Sequence, residues 1–363
     1  MKKFGIKSVD IKIEAEGFGI VNWNGVASLY LPSDEKDKEK DKIRGKANNH
    51  ILPKIRGLDI HRVNYLNEID NRARLYISQN CIRQAIFKDY SYGLKNVTLE
   101  NVSDVLCSML GLVRGYMIAE NTTSLKRKSS LYITDFVSSE DTKLNFEQFS
   151  QSGKRDSTSI YSKHTTGKTK YSAYGSINIE DLQFLPLEDS LSRSCFREVL
   201  AEQEGFDLAE KITQSLKDMD FSGEKNPEAV FCNNYKRVNS ICKVGEAGIL
   251  LNDDAIDIIV KETLSLIENL SVVRTSGYVT VNKITVDYNC GIPLRLKNDI
   301  DNIEEEKNEK YHVYYKEEVL NKEDYDSKVE RIKEKATAKK IMQADKAEKA
   351  KLSKKEKDEK KKP

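Results

Sequence analysis

The sequence predicts an α+β fold with one core of strands and helices and several polar insertions. Three observations support this prediction: strand-like alternation near both ends of residues 1–310, two amphipathic helices between those strands, and charged stretches too poor in apolar residues to form a core of their own. A chain of 363 residues with 38% hydrophobic residues can bury a sizeable core, as about two domains or as one domain with large insertions.

The first half of the core consists of a strand followed by helices. Apolar and charged residues alternate over 6–14, which predicts a half-buried strand. Apolar residues near one face of 75–87 predict a helix. A clearer helix is expected over 102–117, where apolar residues recur every three or four positions and Asn101 is placed to cap the first turn.

The second half of the core contains strands and one further helix. Short strands are expected at 131–137 and 175–187. Asn252 is expected to cap a strongly amphipathic helix, and the stretch 277–288, rich in Tyr, Val and Thr, is expected to form the last strand.

The last strand changes its apolar phase between Val281 and Ile284, which indicates a β-bulge or bend. The resulting order is strand, helix, strand, strand, helix, strand, which is the ferredoxin-like arrangement used by RNA-recognition modules. We assign residues 1–310 to this core and its insertions. Residues 311–363 are assigned to a charged tail that is helical or disordered.

The charge of the chain is segregated. The net charge of +2 combines +8 in residues 331–363 with −6 in residues 1–330. No run of 18 apolar residues occurs, which argues against a membrane-spanning helix, and the N-terminus leads into the first strand rather than into a leucine-rich block. We therefore expect a cytoplasmic protein with no membrane partner.

Metal and cofactor chemistry has little support in the sequence. The six cysteines are far apart and form no Cys-x-x-Cys pair, and the four histidines form no His-Glu-x-x-His motif. Buried free thiols are the expected state of the cysteines. Since no phosphate-binding glycine loop or nucleophile elbow is present either, we expect no catalytic residue, no metal and no cofactor.

The first candidate nucleic-acid site is a cationic block after the 102–117 helix. Three consecutive cations cannot all pair locally, and the serines that follow supply donors suited to phosphate oxygens. The residues concerned are Arg114, Lys126, Arg127, Lys128 and Ser129. A solvated surface turn would have the same composition.

The second candidate site is the stretch 153–175, where cations exceed acids by four in a body that is otherwise acidic. Tyrosines lie between the cations, which suits stacking on unpaired bases while the cations follow the phosphates. The residues placed here are Arg155, Lys163, Lys168, Lys170 and Tyr171. A flexible, solvated hairpin is the alternative.

Weaker candidates lie elsewhere. Phosphate or 2′-hydroxyl contacts are possible for Lys54, Arg56, Asn80 and Arg83. Any charged helix presents such residues, so each is weak by itself. Asp34 and Asp37 lie in the mixed charge run 33–44, where carboxylates usually serve solvation, although one of them could assist cleavage of a bound strand.

Several ordered blocks resemble a known family. They are Gly5–Gly25, Asn49–Gly57, Leu75–Phe87, Gly111–Met117 with the following KRKSSL, the stretches GKRDSTSIYSK and TKYSAYGSINIEDLQF, and GILLNDDA with GYVTVNKITVDYN. Together, over residues 5–290, they resemble the crRNA-binding backbone subunit of the type I-F variant CRISPR Cascade, within the RAMP superfamily.

The resemblance implies a modified RNA-recognition palm with finger and thumb insertions. Copies of such a subunit polymerise head to tail along one crRNA and hold its backbone, so that its bases pair with target DNA. The implied partners are the crRNA, target DNA through the crRNA, further copies of the chain, a subunit that caps the crRNA 5′ end, a crRNA-processing endonuclease and a recruited helicase-nuclease. The backbone subunit itself is implied to be no enzyme.

Mapped onto this chain, the resemblance divides the core into parts. The finger is expected at about 31–60, the thumb hairpin at about 149–176 and a further insertion at about 190–250. The first cationic block falls in the palm. The Lys-rich tail lies outside the resemblance and is expected to add salt-dependent attraction to nucleic acid.

Two related functions stay open at this point. One is a type III-like backbone that cleaves target RNA with Asp34 or Asp37 and a metal ion. The other is a subunit of type IV-like CRISPR complexes. The matching blocks favour the non-cleaving type I branch.

Overall fold

A computed structural model describes residues 5–19, 21, 26–28, 54–56, 75–88, 97–120, 123–139, 144–152, 158–166, 168–187, 202–274, 277–292, 310–317, 330 and 334. Most of the predicted finger, the tip of the predicted thumb hairpin, and the tail beyond 317 except for 330 and 334 lie outside these residues. No helix within the described residues is long and apolar enough to cross a membrane.

Strands make up about half of the described chain. In chain order they are β1 (Ser8–Gly19), β2 (Val26–Ser28), β3 (Lys54–Arg56), β4 (Tyr76–Ile77), β5 (Tyr116–Glu120), β6 (Thr123–Arg127), β7 (Leu131–Ile133), β8 (Phe136–Ser138), β9 (Leu144–Ser152), β10 (Thr158–Thr166), β11 (Lys168–Asn178), β12 (Phe184–Pro186), β13 (Ala229–Arg237), β14 (Glu246–Leu251), β15 (Ser271–Arg274), β16 (Gly277–Asn289) and β17 (Tyr315–Glu317). The helices are α1 (Gln79–Ile86), α2 (Val102–Leu106), α3 (Ile179–Gln183), α4 (Glu202–Met219) and α5 (Asp253–Glu268), with a π-helical segment at Leu110–Arg114.

The main sheet is antiparallel and is built around β1. Its order is β15-β16-β1-β11-β8-β4, and β7 also pairs with β11. Apolar side chains of β1, such as those of Val9, Ile11 and Ile13, are fully buried on one face, as the alternation predicted. Together with the helices, this sheet confirms the α+β class.

The predicted irregularity in the last strand is confirmed. The register between β1 and β16 shifts where Glu14 pairs with Lys283 and Ala15 pairs with Val281. Asn282 is therefore the extra residue of a β-bulge. The bulge restores the alternation, so that apolar residues on both sides of it face the core.

The predicted helix over 102–117 is wrong in its second half. α2 ends at Leu106, the π-helical segment ends at Arg114, and Gly115 adopts a positive φ of 74° before β5 begins. A glycine in this conformation ends a helix at no steric cost. Asn101 does not cap α2, because its Oδ1 accepts a hydrogen bond from the Thr98 amide at 2.8 Å.

Two other predicted elements are divided by side-chain caps. In 75–87, Ser78 accepts a hydrogen bond from the Cys81 amide, so α1 begins only after a short strand. In 175–187, the Oδ1 of Asn178 accepts from the Asp181 amide at 3.0 Å, which starts α3 where a continuous strand was predicted. The stretch 131–137 likewise contains two strands, β7 and β8.

The second predicted core helix is confirmed. α5 begins after Asn252, whose Oδ1 accepts a hydrogen bond from the Ala255 amide at 2.9 Å. Its apolar face is buried, and α5 contacts both α4 and β16.

A second antiparallel sheet, in the order β12-β14-β13-β17, accounts for part of the predicted insertion at about 190–250. Its last strand comes from the region assigned to the tail. Tyr311 pairs with Ile6, and the rings of Tyr311 and Tyr314 are buried. Residues 310–317 therefore belong to the body, and the boundary of the tail moves to after 317.

The cysteines divide into buried and accessible thiols. Cys81 and Cys232 are buried, as expected, Cys107 and Cys290 are half-buried, and Cys242 is exposed. Burial raises the pKa of the Cys107 thiol to about 11. Cys195 lies outside the described residues.

Candidate nucleic-acid interface

The first cationic block lies against the end of the π-helical segment. β5 and β6 form a hairpin that returns the chain to this point, and the Ser130 amide donates to the Val113 carbonyl oxygen at 3.0 Å. Any side chain at position 115 would collide with the Arg127 carbonyl oxygen. Gly115 thus permits a close approach of two backbones, and this approach holds residues 127–130 in place.

Arg127 is not at the surface. Its side chain is only 6% exposed, and its Nη2 donates to the carbonyl oxygens of Asp181 at 2.7 Å and Leu112 at 3.3 Å. The guanidinium group donates a hydrogen bond near the C-terminus of the π-helical segment, where carbonyl oxygens lack partners within the helix, and it links this segment to α3. Arg127 therefore has a structural role, and it does not belong to the predicted phosphate-binding surface.

Ser129 also faces the helix end. Its hydroxyl lies 3.0 Å from the Val113 carbonyl oxygen and 2.8 Å from that of Leu131. Its proton is therefore used within the protein, and only its oxygen lone pairs remain for a ligand.

The Arg83 side chain contacts the backbone of Arg114 beside this turn. The Nη2 of Arg83 donates to the Arg114 carbonyl oxygen at 3.0 Å. Burial lowers the pKa of both groups, and the positive charge of Arg83 lowers the pKa of Arg114 further. Neither forms an ion pair within the described residues. A phosphate oxygen between these two half-buried cations would relieve their repulsion.

Lys126 and Lys128 are exposed on either side of the buried Arg127. The Nζ of Lys128 lies 3.0 Å from Oδ2 of Asp181 and 5.4 Å from the ring centroid of Tyr132. Partial burial lowers the pKa of Lys128, but hydrogen bonds to Tyr132 and Asp181 outweigh this effect and raise it. Since exposed ion pairs are weak, Lys128 is available to a phosphate that competes with Asp181.

Asn80 is exposed in the first turn of α1, the helix that also carries Arg83. Five of the residues predicted for this region are exposed or half-buried. They are Asn80, Arg83, Arg114, Lys126 and Lys128. We call these five residues the palm cluster. Four of the five are cations.

The second basic stretch divides between a hairpin and the main sheet. β9 and β10 form an antiparallel hairpin, whereas β11 pairs with β1 along its length. The residues of the predicted thumb after 167 thus belong to the main sheet. Lys168 and Lys170 are exposed on the outer face of this sheet, the face opposite the core.

Tyr171 is buried rather than available for stacking. Its side chain is 6% exposed on the core face, where it packs over Gly17, and burial raises its pKa to about 12. The strand alternation decides this orientation, because Tyr171 lies between the exposed residues Lys170 and Ser172. The expected stacking role of Tyr171 is therefore wrong.

Strands from the predicted finger and the predicted thumb hairpin contact each other. β3, which carries Lys54 and Arg56, lies against β10, which carries Lys163. Three predicted cationic residues thus come from two adjacent strands that are distant in the sequence. Arg155 lies outside the described residues, as do Asp34 and Asp37.

The described residues contain no group of three or more His, Cys, Asp or Glu side chains that could hold a metal ion. The structure instead reveals two features that the sequence reasoning missed. One is the pair of partners, Tyr132 and Asp181, that holds Lys128. The other is an exposed aromatic pair, Phe18 and Tyr278, on the outer face of the main sheet.

Comparison with known proteins identifies one family. A family model described as type I-Fv CRISPR-associated protein Cas7fv-like matches residues 5–318. No curated protein matches the chain. Among solved structures, a chain of a CRISPR RNA-guided surveillance complex is similar with 11% sequence identity and a TM-score of 0.25, over 65% of this chain and 72% of that chain. A likeness with so low a TM-score carries no weight.

Proposed function

The chain belongs to the Cas7fv-like family of type I-Fv CRISPR-associated proteins, and from this membership we propose how it works as a crRNA-binding backbone subunit of a type I variant Cascade. The observation that carries the proposal is the family match over residues 5–318. These residues include the main sheet, the second sheet and the palm cluster.

The palm cluster is proposed to hold phosphates of the crRNA. Arg83, which contacts the Arg114 backbone, and Arg114 offer two half-buried guanidinium groups, and Lys126 and Lys128 offer exposed ammonium groups. Such contacts read the backbone and not the bases, so one protein can bind a guide of any sequence. Asn80 would contribute a neutral donor and acceptor for a 2′-hydroxyl.

Copies of the chain are proposed to assemble head to tail along one crRNA. This assembly requires a heterologous interface, in which two different surfaces of the chain meet. The contact between β3 and β10 supports a model in which finger and thumb form one wall of the RNA groove. The main sheet, with β1 between β16 and β11, would be the modified ferredoxin-like palm.

In this proposal the protein performs no chemistry. The exposed bases of the crRNA pair with target DNA, while other subunits cap its 5′ end, process it and, after target binding, provide a helicase-nuclease. The Lys-rich tail would add a non-specific, salt-dependent attraction to nucleic acid.

The proposal is tested by producing the full-length chain together with a repeat-flanked guide transcript and the processing endonuclease. We expect the purified protein to carry one RNA of defined length with several copies of the chain on it, as measured by denaturing gel and by mass in solution. Protein without RNA, or with RNA of random length, would contradict the proposal.

An assay on the same purified complex distinguishes a subunit that only binds RNA from one that cleaves target RNA. Complementary RNA and Mg²⁺ are added, and we expect the target RNA to remain intact. Regularly spaced cleavage products that disappear when Asp34 and Asp37 are replaced with Asn would instead support the type III-like alternative.

A further inference from the structure

Two aromatic side chains lie side by side on the outer face of the main sheet. Phe18 on β1 pairs directly with Tyr278 on β16. Their rings are nearly parallel, with an interplanar angle of 23° and centroids 6.4 Å apart. Phe18 is 47% exposed and Tyr278 is 45% exposed, so both rings present much of their surface to solvent.

The two rings do not belong to the buried hydrophobic core. The neighbours of Phe18 and Tyr278 along their strands, Gly17 and Val279, are buried on the opposite face, where the Tyr171 ring and the Val279 side chain lie close to Gly17. Single exposed apolar residues are common, but here two aromatic rings lie together and the exposed Val273 on β15 is the direct partner of Tyr278, so the apolar patch favours a ligand. On β1, Phe18 continues the outward-facing series that contains Lys12, Glu14 and Glu16.

The charges around the pair fit a single nucleic-acid strand. Lys168 on β11 is the direct partner of Phe18 on the side away from Tyr278, and Lys170 follows on the same face. Glu16 lies opposite Lys170, so the charge here is mixed. This arrangement suits a base on the rings with a phosphate beside Lys168, rather than a run of phosphates.

The pair also lies near the ends of two strands. β1 ends one residue after Phe18, and β11 begins at Lys168, directly after the β9–β10 hairpin. β10 in turn contacts both β1 and β3. The strand that carries Phe18 therefore contacts β10, which carries Lys163 and which in turn contacts β3 with Lys54 and Arg56.

We propose that Phe18 and Tyr278 form a stacking platform for one unpaired base of the bound RNA strand, with Lys168 beside its phosphate. The inference rests on the proposed function, because it assumes that the chain binds single-stranded RNA. Every base has a π-face, so stacking is tolerant of sequence, as a subunit that carries any guide requires. The platform adds a base contact to the phosphate contacts of the palm cluster.

The test measures the affinity of the full-length chain for a fluorescent single-stranded RNA oligonucleotide at several salt concentrations. Replacing both aromatics, Phe18→Leu with Tyr278→Leu, is expected to weaken binding by about 5- to 100-fold, since the loss of stacking is not compensated by an apolar side chain. The slope of affinity against salt should stay unchanged, because no phosphate contact is lost. The matched control, Phe18→Tyr with Tyr278→Phe, keeps both rings and should bind like the wild type.

Three results would overturn the platform. Unchanged affinity in the Leu variant, while neutralising the palm cluster weakens binding, rejects the platform and leaves the proposed function standing. Loss of self-association without RNA in the Leu variant, with normal RNA affinity, assigns the rings to a contact between copies of the chain. Failure of the wild type to bind RNA rejects both proposals. Because the rings are exposed, the variants should unfold at the wild-type temperature, which thermal unfolding checks.

Discussion

Replacing Arg127 with Ala is expected to lower the free energy of unfolding by roughly 3 kcal/mol, because hydrogen bonds to a buried charged group are strong and their loss leaves backbone carbonyls unsatisfied. The two carbonyls are those of Leu112 and Asp181, at 3.3 and 2.7 Å from Nη2. Urea unfolding of the RNA-free chain measures the change.

The adjacent Lys126→Ala variant is the matched control. Lys126 is exposed, so its replacement should change the free energy of unfolding by no more than about 0.5 kcal/mol. Equal stability of the two variants would contradict the structural position of Arg127. A loss of RNA binding in Arg127→Ala alone is not evidence of a phosphate contact, since the unfolded fraction would increase.

Neutralising three exposed or half-buried cations of the palm cluster is the second change with a large expected effect. The variant carries Arg114→Gln, Lys126→Gln and Lys128→Gln. If each cation contacts one phosphate, the slope of log affinity against log salt should decrease by about 2, and affinity at low salt should fall by roughly tenfold or more. Titration of single-stranded RNA at several salt concentrations measures both quantities.

The control removes the same charge from another surface. Lys211, Lys217 and Lys243 are exposed on α4 and on the loop between β13 and β14, and none of them belongs to the palm cluster. Their replacement with Gln should leave the salt slope unchanged. If both triple variants behave alike, the RNA is held by diffuse attraction rather than by the palm cluster.

The elements that could be predicted from the sequence are those whose signal is local. β1, α5 and β16 have strong periodicity, and even the bulge at Asn282 appeared as a change of phase. The side-chain cap at Asn252 depends on residues three positions away, so it too could be predicted.

The second half of the predicted 102–117 helix failed because its end depends on a distant contact. Gly115 turns with a positive φ and packs against the Arg127 backbone, which the β5–β6 hairpin brings back to it. Helical spacing of apolar residues continues through this point, so periodicity alone predicts no end. The same close packing buries Arg127, although its neighbours Lys126 and Lys128 are exposed.

The candidate site shows a similar division. Composition identified a group of candidate cations, but it could not separate those that face solvent from the buried Arg127, which bonds backbone carbonyls. The aromatic assignment failed for a different reason. Tyr171 lies on the core-facing side of β11, while Phe18 lies on the solvent-facing side of β1. The alternation of residues along each strand, which the sequence shows, decides both orientations.

Cross-linking of an assembled particle tests the central claim, that the RNA follows the palm cluster and the outer face of the main sheet. The guide carries 4-thiouridine, and cross-linked peptides are identified by mass spectrometry. We predict cross-links within residues 79–88, 114–132 and 158–174. Cross-links concentrated on α4 and on the sheet β12-β14-β13-β17, with none in those three ranges, would contradict the account.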